Sequence, residues 1–245
     1  MNWLLIKFLL IAAISIIPLD ANALNENHDL IPINSEKEQV VGYLPEANIT
    51  LYATQEGGNL IKFRLESNGN VLNFPDWKNV SNPAYNPKIY FNDINYDGSK
   101  ELIIVLTNDY GTGVLEQNVH VLHKNKTNTG DTYKEILVDN PIAIIQKNVE
   151  TTLNESEATI TIGNEKTVIK IDKMGISPKQ LFSEIFIGNL IEYNVLDDEL
   201  TAIIGAQIAP VGGDIGSFFI TYTFKDNMYQ LKEMKFIPEN NKKAP

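Results

Sequence analysis

Beyond residue 41, apolar and polar side chains alternate with a period of two over much of the chain. Asn48-Ile49-Thr50-Leu51-Tyr52-Ala53 alternates, Gly57-Gly58 interrupts, and Leu60-Ile61-Lys62-Phe63-Arg64-Leu65 alternates back into Ser67-Asn68-Gly69-Asn70. A two-residue period puts every second side chain on one face of a strand, and Gly and Asn clusters turn the chain, so this stretch predicts a hairpin. Leu102-Ile103-Ile104-Val105-Leu106 is apolar without alternation. That pattern predicts a central strand buried on both faces. Further strands are expected over residues 119–123, 133–138, 158–162, 167–171, 199–204, 218–224 and 227–231. Ser177 followed by Pro178 has the form of a helix start, an N-cap with proline at the first helical position, so one short helix is expected near 178–186.

These elements describe an all-β chain of about ten strands in two similar halves, residues 41–140 and 141–239. Glu199-Leu200-Thr201-Ala202-Ile203-Ile204 parallels Glu101 to Leu106, and Gly212-Gly213 follows as Gly111-Thr112-Gly113 does. A degenerate duplication accounts for this, and so does generic β patterning. Blades of a propeller need about 40–45 residues each. A sandwich or a fused pair of propeller-like sheets therefore suits the length better than a complete propeller.

The most informative stretch lies between two of these strands: Asp93-Ile94-Asn95-Tyr96-Asp97-Gly98-Ser99-Lys100-Glu101. Calcium takes six to eight oxygen ligands at about 2.3–2.6 Å. Asp93, Asn95 and Asp97 alternate along a tight loop and can aim at one point. Ser99 offers its backbone carbonyl, Glu101 closes the set, and Gly98 permits the sharp turn. An EF-hand places its last carboxylate at position 12 and runs on into a helix. Position 12 here is Ile104, inside an apolar run, so the loop is not an EF-hand. It resembles instead the shorter calcium loop of the FG-GAP/VCBS type, found between strands of integrin-like propeller blades. The resemblance covers about a dozen of the 245 residues. That family often has Asp where Glu101 stands, so the ninth ligand is a mild departure from its pattern. It implies a structural calcium ion in a β-hairpin, on extracellular proteins that serve adhesion or binding. The alternative is a plain polar turn, since Asp, Asn and Gly populate turns for local reasons.

Charge and composition narrow the partners. The formal net charge is −11, which lacks the basic footprint of a nucleic-acid binder. The chain has no cysteine, which excludes disulfides, thiol catalysis and zinc–cysteine sites. Residues 1–23 read as a secretory signal peptide: Lys7, an apolar run over 8–17, Pro18, and Ala21-Asn22-Ala23 as the cleavage signature. An uncleaved anchor is the alternative. Residues 24–40 read as a flexible leader and 240–245 as a polar tail. After cleavage at Ala23 no membrane association is expected. The Asn-, Ile- and Lys-rich composition fits a low-GC Gram-positive bacterium.

No catalytic constellation is visible. G-x-S-x-G, G-x-x-x-x-G-K and H-E-x-x-H are all missing from the sequence. His120 and His123 are an odd number of residues apart, so on one strand they face opposite sides and cannot share a metal. Phe74, Trp77 and Tyr85 lie among Pro75, Pro83 and Pro87, in a segment expected to anchor on the core. The expected function is a secreted β-rich binding or structural module holding one calcium ion, with an extracellular protein or cell-wall polysaccharide as partner. The competing readings are a secreted carbohydrate-active hydrolase, with carboxylates assembled from distant loops, and an inhibitor or partner of a cell-wall enzyme.

Overall fold

A computed structural model describes residues 37–127 and 130–239, the side chains of 126–131 aside. The first five strands are β1 (Glu38–Leu44), β2 (Ile49–Glu56), β3 (Asn59–Ser67), β4 (Asn70–Phe74) and β5 (Asn79–Val80). They make one antiparallel sheet in the order β1-β2-β3-β4, with β5 beside β3. Alternation buries Ile49, Leu51 and Ala53 on β2 and Phe63 and Leu65 on β3, and a register shift at Lys62, with φ of 53°, brings Leu60 to the same buried side. Asn68 and Gly69 have φ of 49° and 81°, which suits the two-residue turn that joins β3 to β4.

Next come β6 (Lys88–Asn92), β7 (Glu101–Gly111), β8 (Val114–Thr127) and β9 (Gly130–Val138). A helix α1 (Pro141–Asn148) follows, then β10 (Val149–Leu153), β11 (Glu157–Ile162) and β12 (Glu165–Lys170), which form a three-stranded sheet. The chain ends with β13 (Phe186–Leu196), β14 (Glu199–Gln207), β15 (Asp214–Lys225) and β16 (Met228–Pro238). All-β is therefore the fold class, with sixteen strands among the described residues rather than about ten. The excess comes largely from short strands, such as the two-residue β5, that carry little periodic signal.

The runs β6–β9 and β13–β16 belong to one eight-stranded sheet, ordered β13-β14-β15-β16-β9-β8-β7-β6. Two parallel seams join them, β16 with β9 and β13 with β8. Strand β8 is 14 residues long, and its later part pairs with β9 while Leu115 and Glu116 pair with β13. The pairings thus close a ring of six strands, β8-β9-β16-β15-β14-β13, with β7 and β6 continuing outward from β8. Inside the ring lie Val121, Tyr193, Ala202, Ile204, Phe218, Ile220 and Tyr229, packed with Ile144 and Ile145 of α1 and Ile160 of β11. A second core, containing Leu51, Phe63, Leu65, Leu102, Ile104, Leu106 and Leu122, fills the space between the β1–β5 sheet and β7. Strand β7 divides the two cores, sending Ile103 and Val105 one way and Leu102, Ile104 and Leu106 the other. That explains its unbroken apolar sequence.

Two expectations need correction. Pro178–Gln180 is a single 3-10 turn, in which the Ser177 N–H donates to Gln180 Oε1 at 3.3 Å. It does not continue, because Leu181 is extended and the Phe182 N–H donates to the Ile208 carbonyl at 2.8 Å. The α-helix is instead at Pro141–Asn148, where Asn140 Oδ1 accepts from the Ala143 N–H at 3.1 Å and Pro141 takes the first position. Strand β1 begins at Glu38, so residues 38–40 pair with β2 rather than belonging to the leader. The expected signal peptide and most of the leader, 1–36, lie outside the described residues, as does the 240–245 tail. Among the described residues no helix is long and apolar enough to cross a membrane.

Candidate metal centre

The β6–β7 hairpin closes at the Asn92–Glu101 pair and leaves residues 93–100 as its loop. The loop folds on its own side chains. Asp93 accepts from the Asp97 N–H through Oδ1 at 3.1 Å and from the Gly98 N–H through Oδ2 at 2.9 Å. Asn95 Oδ1 accepts from the same Asp97 N–H at 2.9 Å. Asp97 Oδ1 accepts from the Ser99 N–H at 2.8 Å, and its Oδ2 accepts from Asn95 Nδ2 at 3.0 Å. These are Asx turns, in which a short side chain captures an amide two or more residues on. Tyr96 and Gly98 have φ of 60° and 86°, which lets consecutive amides turn inward. Asp93, Asn95 and Asp97 are thereby brought together in one network. Ser99 takes part through its N–H.

Glu101 occupies a different environment beneath the loop. It is 1% exposed, and its Oε2 accepts from the Ile94 N–H at 3.0 Å. Burial pushes its pKa up to about 7, the Asp97 and Asp93 carboxylates add to the rise, and the Ile94 and Asn95 N–H groups oppose it. Behind it, buried Tyr229 shares a 2.9 Å hydrogen bond with His123 Nε2. Burial raises the Tyr229 pKa, with Glu101, Asp97 and Asp93 contributing. Burial lowers that of His123, against the pull of Asp97. His123 is half-buried rather than a surface residue. The available signal was its position two residues after Val121, which puts both on the face turned into the ring.

His120 faces the other way. Its ring stacks on Trp77 at 4.1 Å between centroids, and its Nδ1 lies 2.6 Å from Glu135 Oε1. Trp77 in turn stacks on Phe74 at 3.8 Å and is 6% exposed, so this part of the proline-rich segment is anchored on the core.

Among the described residues, no group of three or more His, Cys, Asp or Glu side chains is arranged to hold a metal ion. The loop directs its acidic oxygens to its own amides, and Glu101 points to the Ile94 amide. The candidate donor set is therefore mixed: two aspartates, an asparagine amide, a backbone carbonyl and a deeper glutamate. Hard oxygen donors of this kind suit calcium, and each carboxylate oxygen keeps a lone pair beyond its amide bond.

A second acidic turn abuts the loop. Asp197 and Asp198, with φ of 51° and 58°, connect β13 to β14, and Asn92 Nδ2 donates to Asp198 Oδ1 at 2.8 Å. Elsewhere, two neighbouring cavities of about 280 and 580 Å³ share Asp214 and Glu239 in their walls, and neither wall includes an aromatic side chain.

The fold and site so far define an all-β protein with an Asp/Asn-rich loop at the mouth of a hairpin. Comparison with protein-family models, curated proteins and solved structures finds no match.

Proposed function

We propose that the chain is a secreted β-rich binding or structural module in which residues 93–101 hold one calcium ion. The observation that supports this reading is the gathering of Asp93, Asn95 and Asp97 around the amides of residues 97–99. Two aspartates held this close repel each other, and Glu101 sits buried beside them. A divalent cation removes that repulsion and ties the loop to the first residue of β7. The ion's role is structural: it fixes the entry to the strand that separates the two cores. An extracellular protein or a cell-wall polysaccharide is the partner class that goes with such a module.

Thermal melting tests the reading. Calcium at a few millimolar raises the melting temperature if its affinity is in the range of extracellular modules, about 10⁻⁴–10⁻³ M. The variant Asp93→Ala with Asp97→Ala loses that rise. A melting curve indifferent to calcium refutes the metal assignment.

A further inference from the structure

We propose that the free edge of β12 docks an extended peptide, which adds to the sheet as a further strand and carries an acidic residue two positions to either side of its centre. The proposal gives a chemistry to the protein-partner reading above, and it does not depend on the calcium loop.

β12 ends the three-stranded sheet, and among the described residues no strand pairs with its far side. The hydrogen-bond pattern fixes which backbone groups face that side. The Ile171 N–H donates to the Ser156 carbonyl at 3.0 Å, as in the closely bonded pairs of an antiparallel ladder. Such pairs recur at every second residue, so Ile169, Thr167 and Glu165 bond to β11. On the other side of β11, the Asn154 N–H donates to the Glu157 carbonyl at 3.0 Å, so Glu157, Thr159 and Thr161 bond to β10, as the same alternation requires. Lys166 and Val168 are left with N–H and C=O turned to the open edge, and Lys170 with its N–H. An unpaired row of this kind is a template for another strand.

The side chains decide which strand. Lys166, Val168 and Lys170 share one face, and all three are exposed. The acids of that face stand behind the edge: Glu157 on β11, 2.7 Å from the Lys170 ammonium, and Glu150 on β10. An incoming strand therefore meets two lysines flanking Val168. Directly opposed side chains interact across a ladder, so an acid, a β-branched residue and an acid match this row. A second copy of β12 does not match it, because the register that uses all three residues sets Lys166 against Lys170 twice. The intervening residues of the incoming strand point to the face of Ile169. A cavity of about 580 Å³ opens beside this stretch, and Ile169, Met174, Ile215 and Pro238 are in its wall. The charged wall members, Lys170 and Lys173 with Asp214 and Glu239, balance in sign, which suits uncharged side chains. The ligand is thus an extended acid–apolar–β-branched–apolar–acid segment.

Titration of the ¹⁵N-labelled full chain with acetyl-Gly-Glu-Val-Thr-Val-Glu-Gly-amide tests it, with the charge-reversed peptide, Lys in place of Glu, as control. Chelator is present throughout, so failure here leaves the calcium melting result standing, and the reverse holds too. The expected result is saturable shifts centred on the Lys166, Val168 and Lys170 amides, with a dissociation constant on the order of 1 mM for so short a peptide. The charge-reversed peptide binds about ten-fold more weakly. Val168→Pro deletes an outward N–H that the ladder does not use, and weakens binding about ten-fold, since proline is tolerated at such edge positions. Lys166→Glu, at an exposed position, keeps the test decisive should the proline variant fail to fold: it shifts the preference about five-fold toward the charge-reversed peptide. Shifts that stay linear to about 5 mM overturn the proposal. So do shifts centred away from β12, equal binding of the two peptides, or an unchanged preference in Lys166→Glu.

Discussion

The β6–β7 and β13–β14 hairpins invite comparison, because each leads into a strand that begins with glutamate. Asn92 pairs with Glu101 across an eight-residue loop, and Leu196 pairs with Glu199 across the two residues Asp197 and Asp198. The longer connection folds Ile94 down onto the core, where it is 3% exposed, and Ile94 then covers Glu101. The shorter connection covers nothing, and Glu199 reaches out to an ion pair with Lys232. The same residue at the same strand position is therefore buried with its pKa raised to about 7 in one hairpin and solvated in the other. What decides is whether the preceding loop carries an apolar residue that folds back. The strands differ likewise. β7 has a core on each face, whereas β14 sends Leu200, Ala202, Ile204 and Ala206 into one.

That last contrast predicts the largest effect. Ile104→Ala empties a fully buried site between β7 and the first sheet, and should cost about 2–5 kcal/mol in chemical denaturation. Ile203→Ala on the less buried face of β14 should cost under about 1.5 kcal/mol. Equal losses would break the distinction between a strand with two cores and a strand with one.

Calcium should sharpen the difference between the loops. At about 100 times its dissociation constant, a bound ion should stabilise the chain by about 2.7 kcal/mol. Asp93→Ala with Asp97→Ala removes this gain, while Asp197→Asn with Asp198→Asn leaves it intact. Loss of the gain in both variants would mean that general acidity, not the Asx loop, attracts the ion.

Acidity should also separate the two glutamates. Glu101 holds its proton to about pH 7 in the folded chain, against an ordinary 4.5. The folded state binds that proton more tightly than the unfolded one. Without calcium, its contribution is full below the ordinary carboxylate range and is lost as pH rises through about 7, an effect on the order of 1–2 kcal/mol. On the proposed reading calcium takes the ionised form, so its stabilisation should grow over the same window. Glu101→Gln should flatten both trends. Melting temperatures from pH 4.5 to 8, with calcium and with chelator, read this out.

Two smaller effects complete the series. Tyr229→Phe removes the hydroxyl that meets His123 behind Glu101, with an expected loss of about 1 kcal/mol. Lys232→Ala breaks the exposed Glu199 pair, and the loss should stay within about 0.5 kcal/mol. A larger loss for Lys232→Ala than for Tyr229→Phe would show that the solvated hairpin matters more than the covered one.

Alternation at residues 48–53 and 60–65, the apolar run at 102–106 and the Gly and Asn turns sufficed to predict the hairpins, the central strand and the all-β class. Each is a local preference, because a two-residue period or a positive φ needs no distant partner to be read. Asp93, Asn95 and Asp97 were legible for the same reason, since their Asx turns close within five residues. The Asn140-Pro141 helix start was equally local, yet its isoleucine-rich body resembles strand sequence. Only the tertiary structure made Ser177-Pro178 a single turn, by pairing Phe182 with Ile208, and brought His123 to Tyr229, 106 residues away. It alone closed the ring through two parallel seams and left Asn189 Oδ1 without a partner. Those outcomes depend on which surfaces meet after collapse, and one-dimensional patterning specifies that a face is apolar without naming what covers it.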